Sequence, residues 1–400
     1  MIKTSKTIKI SPPFSLEQLE VDTDKDWGNY SVKNLGVPVD AGDALRLKDL
    51  PRTATVYVAA SNARDTKNCD FLCDGVDDDL TIEEAIAALP AIGGTVMLSE
   101  GFFIFGSSLD ILISYLRLLG SGAGTVIKGA IGTNYITVGN GVTSLSNIEI
   151  SNLRIDGTNQ TEGYGIYIYG ASDYIIYHTH IHDCWIEKTY DGAIRPCYSY
   201  HSILSNISIS SPGSFGIYNN CSNYSALSNI TISSPGSYGI YNYYSTYSAL
   251  SNITIYSSGG DGIYNHYSYH SILSNITIYY PGRYGIYNAD SDYSALSSIT
   301  IRSPGSHGIY NLSTQCIISG NNIRKVLSGY YGINSEGNNC VIASNITDGG
   351  DGLRAVGTAP IVKDNKILNA AVPGYELSDT SETDLGKGYN RFCYNMSVYA

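Results

Sequence analysis

The apolar positions of this chain fall into a recurring pattern. In Asn-Ile-Thr-Ile, isoleucine alternates with a polar residue, the period of a strand with one buried face. In Gly-Ile-Tyr-Asn, Ile and Tyr point to opposite sides, so Ile faces inward and Tyr outward. Gly-Ile-Tyr-Asn begins at Gly216, Gly239, Gly262, Gly285 and Gly308, in steps of 23 residues. Ser-Asn-Ile-(Ser/Thr)-Ile begins at Ser205, Ser228, Ser251 and Ser274, and a Ser-Ser variant at Ser297, again in steps of 23. (Tyr/His)-Ser-(Ala/Ile)-Leu begins at His201, Tyr224, Tyr247, His270 and Tyr293. Ser-Pro-Gly-Ser, starting at Ser211, Ser234 and Ser303, supplies a turn with Pro and Gly at its centre. Three strands and three turns in 23 residues leave no room for a helix. Gly, Pro, Ser and β-branched residues also exclude a helical repeat. The pattern predicts an all-β parallel β-helix with one coil per repeat.

Weaker copies extend the pattern. Gly165-Ile166-Tyr167 and Gly192-Ala193-Ile194 lie upstream, Gly332-Ile333 and Gly352-Leu353 downstream. Earlier strands are predicted over Ile111 to Leu119, Thr125 to Lys128 and Tyr135 to Val138. Roughly a dozen coils result, with a core column of Ile, Leu and Val and stacked identical side chains along the axis. The 400 residues, which by length suggest two or three domains, then contain one repeat domain.

Composition sharpens this. Hydrophobic residues make up 43% of the chain, too many for disorder. Charged residues are 15% and the net charge is −12, which excludes a nucleic-acid binder. No apolar run is long enough to span a membrane as a helix. The N-terminus has no apolar segment of a secretory signal peptide. The eight cysteines lack paired CxxC spacing and argue against structural zinc. No cofactor is expected.

Two segments carry resemblances. Cys73-Asp-Gly-Val-Asp-Asp-Asp-Leu-Thr-Ile-Glu-Glu-Ala-Ile-Ala-Ala-Leu-Pro90, then Gly93-Gly-Thr-Val-Met-Leu-Ser-Glu-Gly101 and Leu118-Leu-Gly-Ser-Gly122, resemble the start of pectate-lyase-superfamily right-handed parallel β-helices. The likeness covers about residues 55–370 and implies right-handed coils, in keeping with the chirality of parallel crossovers. Thr81 to Leu89 reads as a short amphipathic helix with Ile82, Ala85, Ile86 and Leu89 on one face, suited to cover the open end of the core. Upstream, Tyr30-Ser-Val-Lys-Asn-Leu-Gly-Val-Pro-Val-Asp-Ala-Gly-Asp-Ala-Leu-Arg-Leu-Lys-Asp-Leu50 resembles a segment of phage tail-fibre and tailspike proteins. That resemblance implies a homotrimer attached to a virion baseplate or tail, located on the virion or an extracellular surface without a signal peptide. The expected organisation is an attachment segment at 1–50, an N-terminal cap at 51–110, a β-helical rod at 111–370 and a C-terminal cap at 371–400.

Candidate chemistry is sparse. From Pro196 to Ile301 only Asp261, Arg283, Asp290 and Asp292 are charged. Together with His307, in Gly-Ser-His-Gly, the three aspartates are the candidate catalytic groups for a polysaccharide lyase or glycoside hydrolase, but no multi-residue catalytic string accompanies them. Asp261 and Arg283 are placed to pair on adjacent coils, as a surface ion pair or as part of a sugar-binding patch. Tyrosine carries more signal: 18 of the 35 lie between Pro196 and Ile301. Tyr218, Tyr241, Tyr264, Tyr287 and Tyr310 are expected to form an outward ladder, with Tyr244 and Tyr267 in a second column. Such rows suit a cell-surface glycan, through ring faces on sugar C–H groups, or alternatively ladder packing or a trimer interface. His180 and His182 are expected side by side, as exposed strand residues or as metal ligands. Cys197 with Cys221, and Cys316 with Cys340, are spaced 24 apart and are expected to stack on neighbouring coils, as thiols or as disulfides. Three functions follow: a tail-fibre-like glycan adhesin, a polysaccharide lyase or glycosidase, or a structural surface or filament protein.

Overall fold

A computed structural model describes residues 54–370 and the backbone of the strands Tyr375–Ser378 and Arg391–Cys393. The expected attachment segment lies outside the described residues. Parallel strands coil into two hydrogen-bonded sheets of 23 and 12 strands. In the regular region each coil gives a long strand such as Ala226–Ser233 to the first sheet and a short one such as Ile240–Tyr243 to the second. Each pairs in register with its copy 23 residues on, Leu227 with Leu250 and Ile240 with Ile263. About twelve coils stack in this way. Pairing continues into the expected C-terminal cap, where Tyr375 pairs with Leu353 and Arg391 with Lys366.

The coil turns its corners on left-handed residues that are not glycine. Asn229 (φ 54°), Ser234 (φ 52°), Tyr244 (φ 49°) and Tyr247 (φ 57°) mark the bends of one coil. The same columns recur in the next coil at Asn252, Ser257, Tyr267 and His270. A left-handed non-glycine residue is strained, and the inter-coil hydrogen bonds on either side hold it there. The asparagine of Ser-Asn-Ile-Thr-Ile therefore bends the long strand instead of extending it. Asn also tolerates this conformation best among non-glycine residues. The stretch Ile111 to Leu119 is likewise broken, into Leu109–Ile111 and Leu116–Leu119, with Tyr115 (φ 60°) at the corner.

Inside, identical residues stack. Leu204, Leu227, Leu250, Leu273 and Leu296 form one fully buried column, and Ile217, Ile240, Ile263, Ile286 and Ile309 another. Each buried side chain stabilises the fold by about 1.5–3 kcal/mol. Gly239 is required by closeness: an added Cβ would sit 2.5 Å from the Gly262 carbonyl oxygen and 2.8 Å from Ile255. The asparagine of Gly-Ile-Tyr-Asn points inward and builds a polar column. Asn219, Asn242, Asn265, Asn288 and Asn311 are fully buried. Each Nδ2 donates to the next Oδ1 at 2.7–2.8 Å. Beside it runs a serine column, where Ser222 N donates to Ser245 Oγ (2.9 Å) and Ser245 N to Ser268 Oγ (3.0 Å).

The N-terminal end is closed by the helix Asp78–Ala87, whose Ile82, Ala85 and Ile86 are buried. It begins three residues before the expected Thr81, because the aspartates belong to it. Buried Asp78 accepts from Gly75 N (2.9 Å) and Ile104 N (2.7 Å). Buried Asp79 accepts from Gly106 N (2.8 Å) and Ser107 Oγ (2.6 Å). The Asp-Asp pair thus ties the helix to the first coils.

The asparagine column makes a stability prediction. Replacing Asn265 by Leu keeps the branched shape but strands Asn288 Oδ1 in the core and leaves Asn242 Nδ2 only its longer bond to Ser271 Oγ (3.4 Å). The expected loss is about 2–4 kcal/mol, read as a lower urea midpoint at unchanged slope. An unchanged midpoint contradicts the ladder's role.

Candidate functional site

The five tyrosines of Gly-Ile-Tyr-Asn stack as a ladder on the outer side of the second sheet. Ring centroids are 4.9, 4.9, 4.8 and 5.4 Å apart from Tyr218 to Tyr310, with interplanar angles of 5–21°. The rings are half-buried. Stacking has a chemical consequence: both faces of every interior ring are covered by neighbouring rings. The expected contact of sugar C–H groups with ring faces is therefore closed along the ladder. What remains for a ligand is ring edges and phenol hydroxyls, one per coil, of which the Tyr310 hydroxyl is engaged by Glu336. Tyr244 and Tyr267, in their corner column, stack at 4.7 Å and 12°.

A second ladder was not read from the sequence, although its column was visible there as the Tyr/His position of the repeat. His178, His201, Tyr224, Tyr247, His270 and Tyr293 stack at 4.8–5.3 Å along a corner of the first sheet. All six residues are exposed.

The candidate acids are separated and mostly committed. Asp261 is fully buried, not on the surface. It accepts two bonds from Arg283 (2.7 and 2.6 Å) and one from Tyr284 N (3.0 Å). It replaces a tyrosine in its column, and the arginine of the next coil neutralises it. Asp292 accepts from Thr314 N at 2.7 Å, as Asn223 does from Thr246 N at 2.8 Å, which is a structural role. Asp290 is exposed at a left-handed corner and lies 3.4 Å from His266 Nε2. His307 accepts from Tyr331 N at 2.8 Å, and burial holds its pKa below the usual histidine range. None of the four hydrogen-bonds another.

His180 and His182 are brought together, with ring centroids 4.1 Å apart. The nitrogens of His182 face Asp183 Oδ2 (2.6 Å) and Glu149 Oε1 (3.3 Å), and Arg117 binds Glu149 at 2.7 Å. The Arg117 bond keeps the Glu149 carboxyl below its usual range. His182 is thus engaged by carboxylates, and no group of three metal-ligating side chains occurs among the described residues.

The cysteine pairs divide. Cys316 and Cys340 share a register, beside Ile317 paired with Val341, and both are buried free thiols. The Cys340 contact and burial push the Cys316 thiol up. Cys197 instead pairs with Asn220, whose Nδ2 donates to Cys197 Sγ at 3.4 Å. Cys221 therefore lies one column away. The cause is a register offset: Ile194 pairs with Ile217, so Ala193 and not Gly192 occupies the glycine column.

The same offset hid Arg195. It pairs with Tyr167 on one side and, beside Ile194, faces Tyr218 on the other. Its guanidinium lies 5.1 Å from the Tyr167 ring, 5.0 Å from Tyr218 and 5.4 Å from Tyr164. The tyrosine ladder thus begins at a cation sandwiched between rings. Arg195 lines a groove of about 430 Å³ with Asn134, Glu162, Tyr164, Tyr167 and Asp191. Gln160 fixes its base, donating to Thr133 O (2.7 Å) and Tyr164 O (3.0 Å) and accepting from Tyr190 N (3.0 Å).

Ladder tyrosines resist ionisation. Burial, with the neighbouring phenolates next, pushes Tyr264 up to about 12, and Tyr241 is raised in the same way. A raised folded pKa stabilises the protein below the ordinary value of 10.0, and that stability is lost as pH rises through the folded value. Absorbance titration at 295 nm is expected to show a tyrosine class ionising about two units above free tyrosine, together with alkaline unfolding. A single class near the free value contradicts the stacked ladder.

Comparison with known proteins agrees with this geometry. Residues 183–299 match the family description "Right handed beta helix region". No curated protein matches in sequence. The mannuronan C-5 epimerase AlgE6 A-module of Azotobacter vinelandii superposes with a TM-score of 0.63 at 19% identity, over 78% of this chain and 97% of that one. The catalytic domain of a GH87 α-1,3-glucanase gives 0.59 at 13% identity, over 78% and 68%. A DFA-IIIase from Arthrobacter chlorophenolicus A6, without its lid, gives 0.59 at 12% identity, over 82% and 99%. At these identities the likeness is one of fold, and the fold is a right-handed parallel β-helix.

Proposed function

We propose that this chain is a glycan-binding surface protein of the tail-fibre or tailspike kind, acting as a homotrimer held to a virion through residues 1–50. The observation that carries the glycan reading is the tyrosine ladder: a row of phenol hydroxyls on a sheet almost free of charge. Its period, 4.8–5.4 Å per coil, is close to the length of one sugar unit in an extended chain, so successive hydroxyls can meet successive units. Hydroxyl donors and acceptors, and not ring faces, then make the contact. The neighbouring structures lend support: one is named a mannuronan epimerase, and the glucanase domain is in complex with tetrasaccharides. The trimer and the virion rest on the resemblance of Tyr30 to Leu50 to tail-fibre segments.

A second reading, polysaccharide lyase or glycoside hydrolase, is favoured by the groove where Glu162 and Asp191 lie beside Arg195. Product analysis separates the two. Incubation with bound polysaccharide is expected to release no reducing ends and no unsaturated products; release of either supports the enzyme.

The variant Y241F/Y264F/Y287F keeps the stacked rings and removes three hydroxyls. Polysaccharide affinity is expected to fall at least about tenfold, three hydrogen bonds of about 0.5–1.5 kcal/mol each, at unchanged Tm. Undiminished binding overturns the hydroxyl-row reading. No saccharide binding by the native protein leaves the structural role.

A further inference from the structure

Arg195 differs from four other arginines on the outer faces of these coils. Arg117 binds Glu149, Arg154 binds Glu187, Arg283 binds Asp261 and Arg354 binds Glu336. Among the described residues no carboxylate forms an ion pair with Arg195. Asp191, in the same groove, is turned to the backbone and accepts from Gly163 N at 3.0 Å. Arg195 is half-buried between tyrosine rings, and its buried Nε has no hydrogen-bond partner. Ring faces attract a cation but accept no in-plane N–H bonds. A guanidinium held this way is oriented and partly desolvated; the Tyr164 side chain hydrogen-bonds it, and its Nε donor is left unsatisfied. Planar forks match the two oxygens of a carboxylate or sulfate.

We propose that Arg195 forms an anion subsite at the N-terminal end of the tyrosine ladder, which selects saccharides bearing a carboxylate or sulfate and sets the register of the chain along the hydroxyl row. This rests on the glycan-binding reading above. The Tyr167 and Tyr218 rings hold the guanidinium flat. Thr133 and Asn134, tied through Gln160 to Tyr164, form the wall against which the charged sugar sits. Neutral sugars farther along the glycan then meet the hydroxyls of Tyr241, Tyr264 and Tyr287.

The test is calorimetry on the full chain with two matched pairs of oligosaccharides. One pair is an oligouronate and its carboxyl-reduced form; the other is a sulfated galactan oligomer and its desulfated form. The native protein is expected to bind the charged member of at least one pair tenfold or more tightly, and the pair that shows the preference identifies the anion. Arg195→Gln is expected to abolish that preference. Arg195→Lys, which keeps the charge but not the fork, is expected to lose most of it. Equal binding of charged and neutral members by the native protein overturns the subsite and leaves the glycan reading standing, and needs no variant. A preference that survives in Arg195→Gln also overturns it. If no saccharide binds the native protein, the glycan reading fails, and the subsite with it.

Discussion

The structure depends on one constraint: each regular coil presents the same residue at the same place as the coil before it. Parallel in-register pairing at a step of 23 residues is what allows this. A buried asparagine is costly alone, because its amide must find partners in the core. In register, each amide is the partner of the next, and the Asn219 to Asn311 column spans five coils. The left-handed corners follow the same logic. A tyrosine at φ 57° is unfavourable in isolation, but inter-coil hydrogen bonds fix the corner and ring stacking occupies its outer edge. Interior polarity and exterior aromatics are thus two outcomes of one stacking rule.

That rule explains which features were legible in the sequence. Where the repeat is regular, the columns could be read directly, Ile inward and Tyr218 to Tyr310 outward, but the three strands expected per coil are there one long bent strand and one short one. Where it drifts, the reading slipped by a residue. Gly192 looks like the coil glycine, yet Ala193 fills that column. This one-residue error separated Cys197 from its true neighbour Asn220 and concealed Arg195 as a member of the tyrosine column. Other features depend on side-chain torsions or on three-dimensional closure, which spacing does not encode. The ladder rings turn their faces to one another, and Asp261 is drawn inward by Arg283. The Asp78–Asp79 pair was visible as a motif, but its bonds to the Ile104 and Gly106 amides required the fold.

The proposed anion subsite lies where the rule is broken. The regular coils offer a uniform, nearly uncharged surface with a fixed period, which suits a repetitive ligand and gives it no unique position. Charge collects in the irregular coils: Arg195, Asp191 and Glu162 in one groove, Glu149, His182 and Asp183 on another face. A repeating surface supplies contact area through many weak, similar bonds. An irregular end supplies direction and selectivity, since a single strong group can anchor only one unit of a chain. The aromatic excess and the scarcity of charge in the composition are the two sides of that arrangement.

The central claim is that the coil is the unit of both fold and recognition. It is tested most directly by the chain-length dependence of oligosaccharide affinity in a protein lacking residues 240–262, one 23-residue step. The deletion rejoins Gly239 to Ile263 in register and leaves a four-tyrosine ladder. The account expects affinity to reach its plateau at an oligosaccharide one sugar unit shorter than for the intact protein. A plateau at the same length in a folded deletion protein would contradict it.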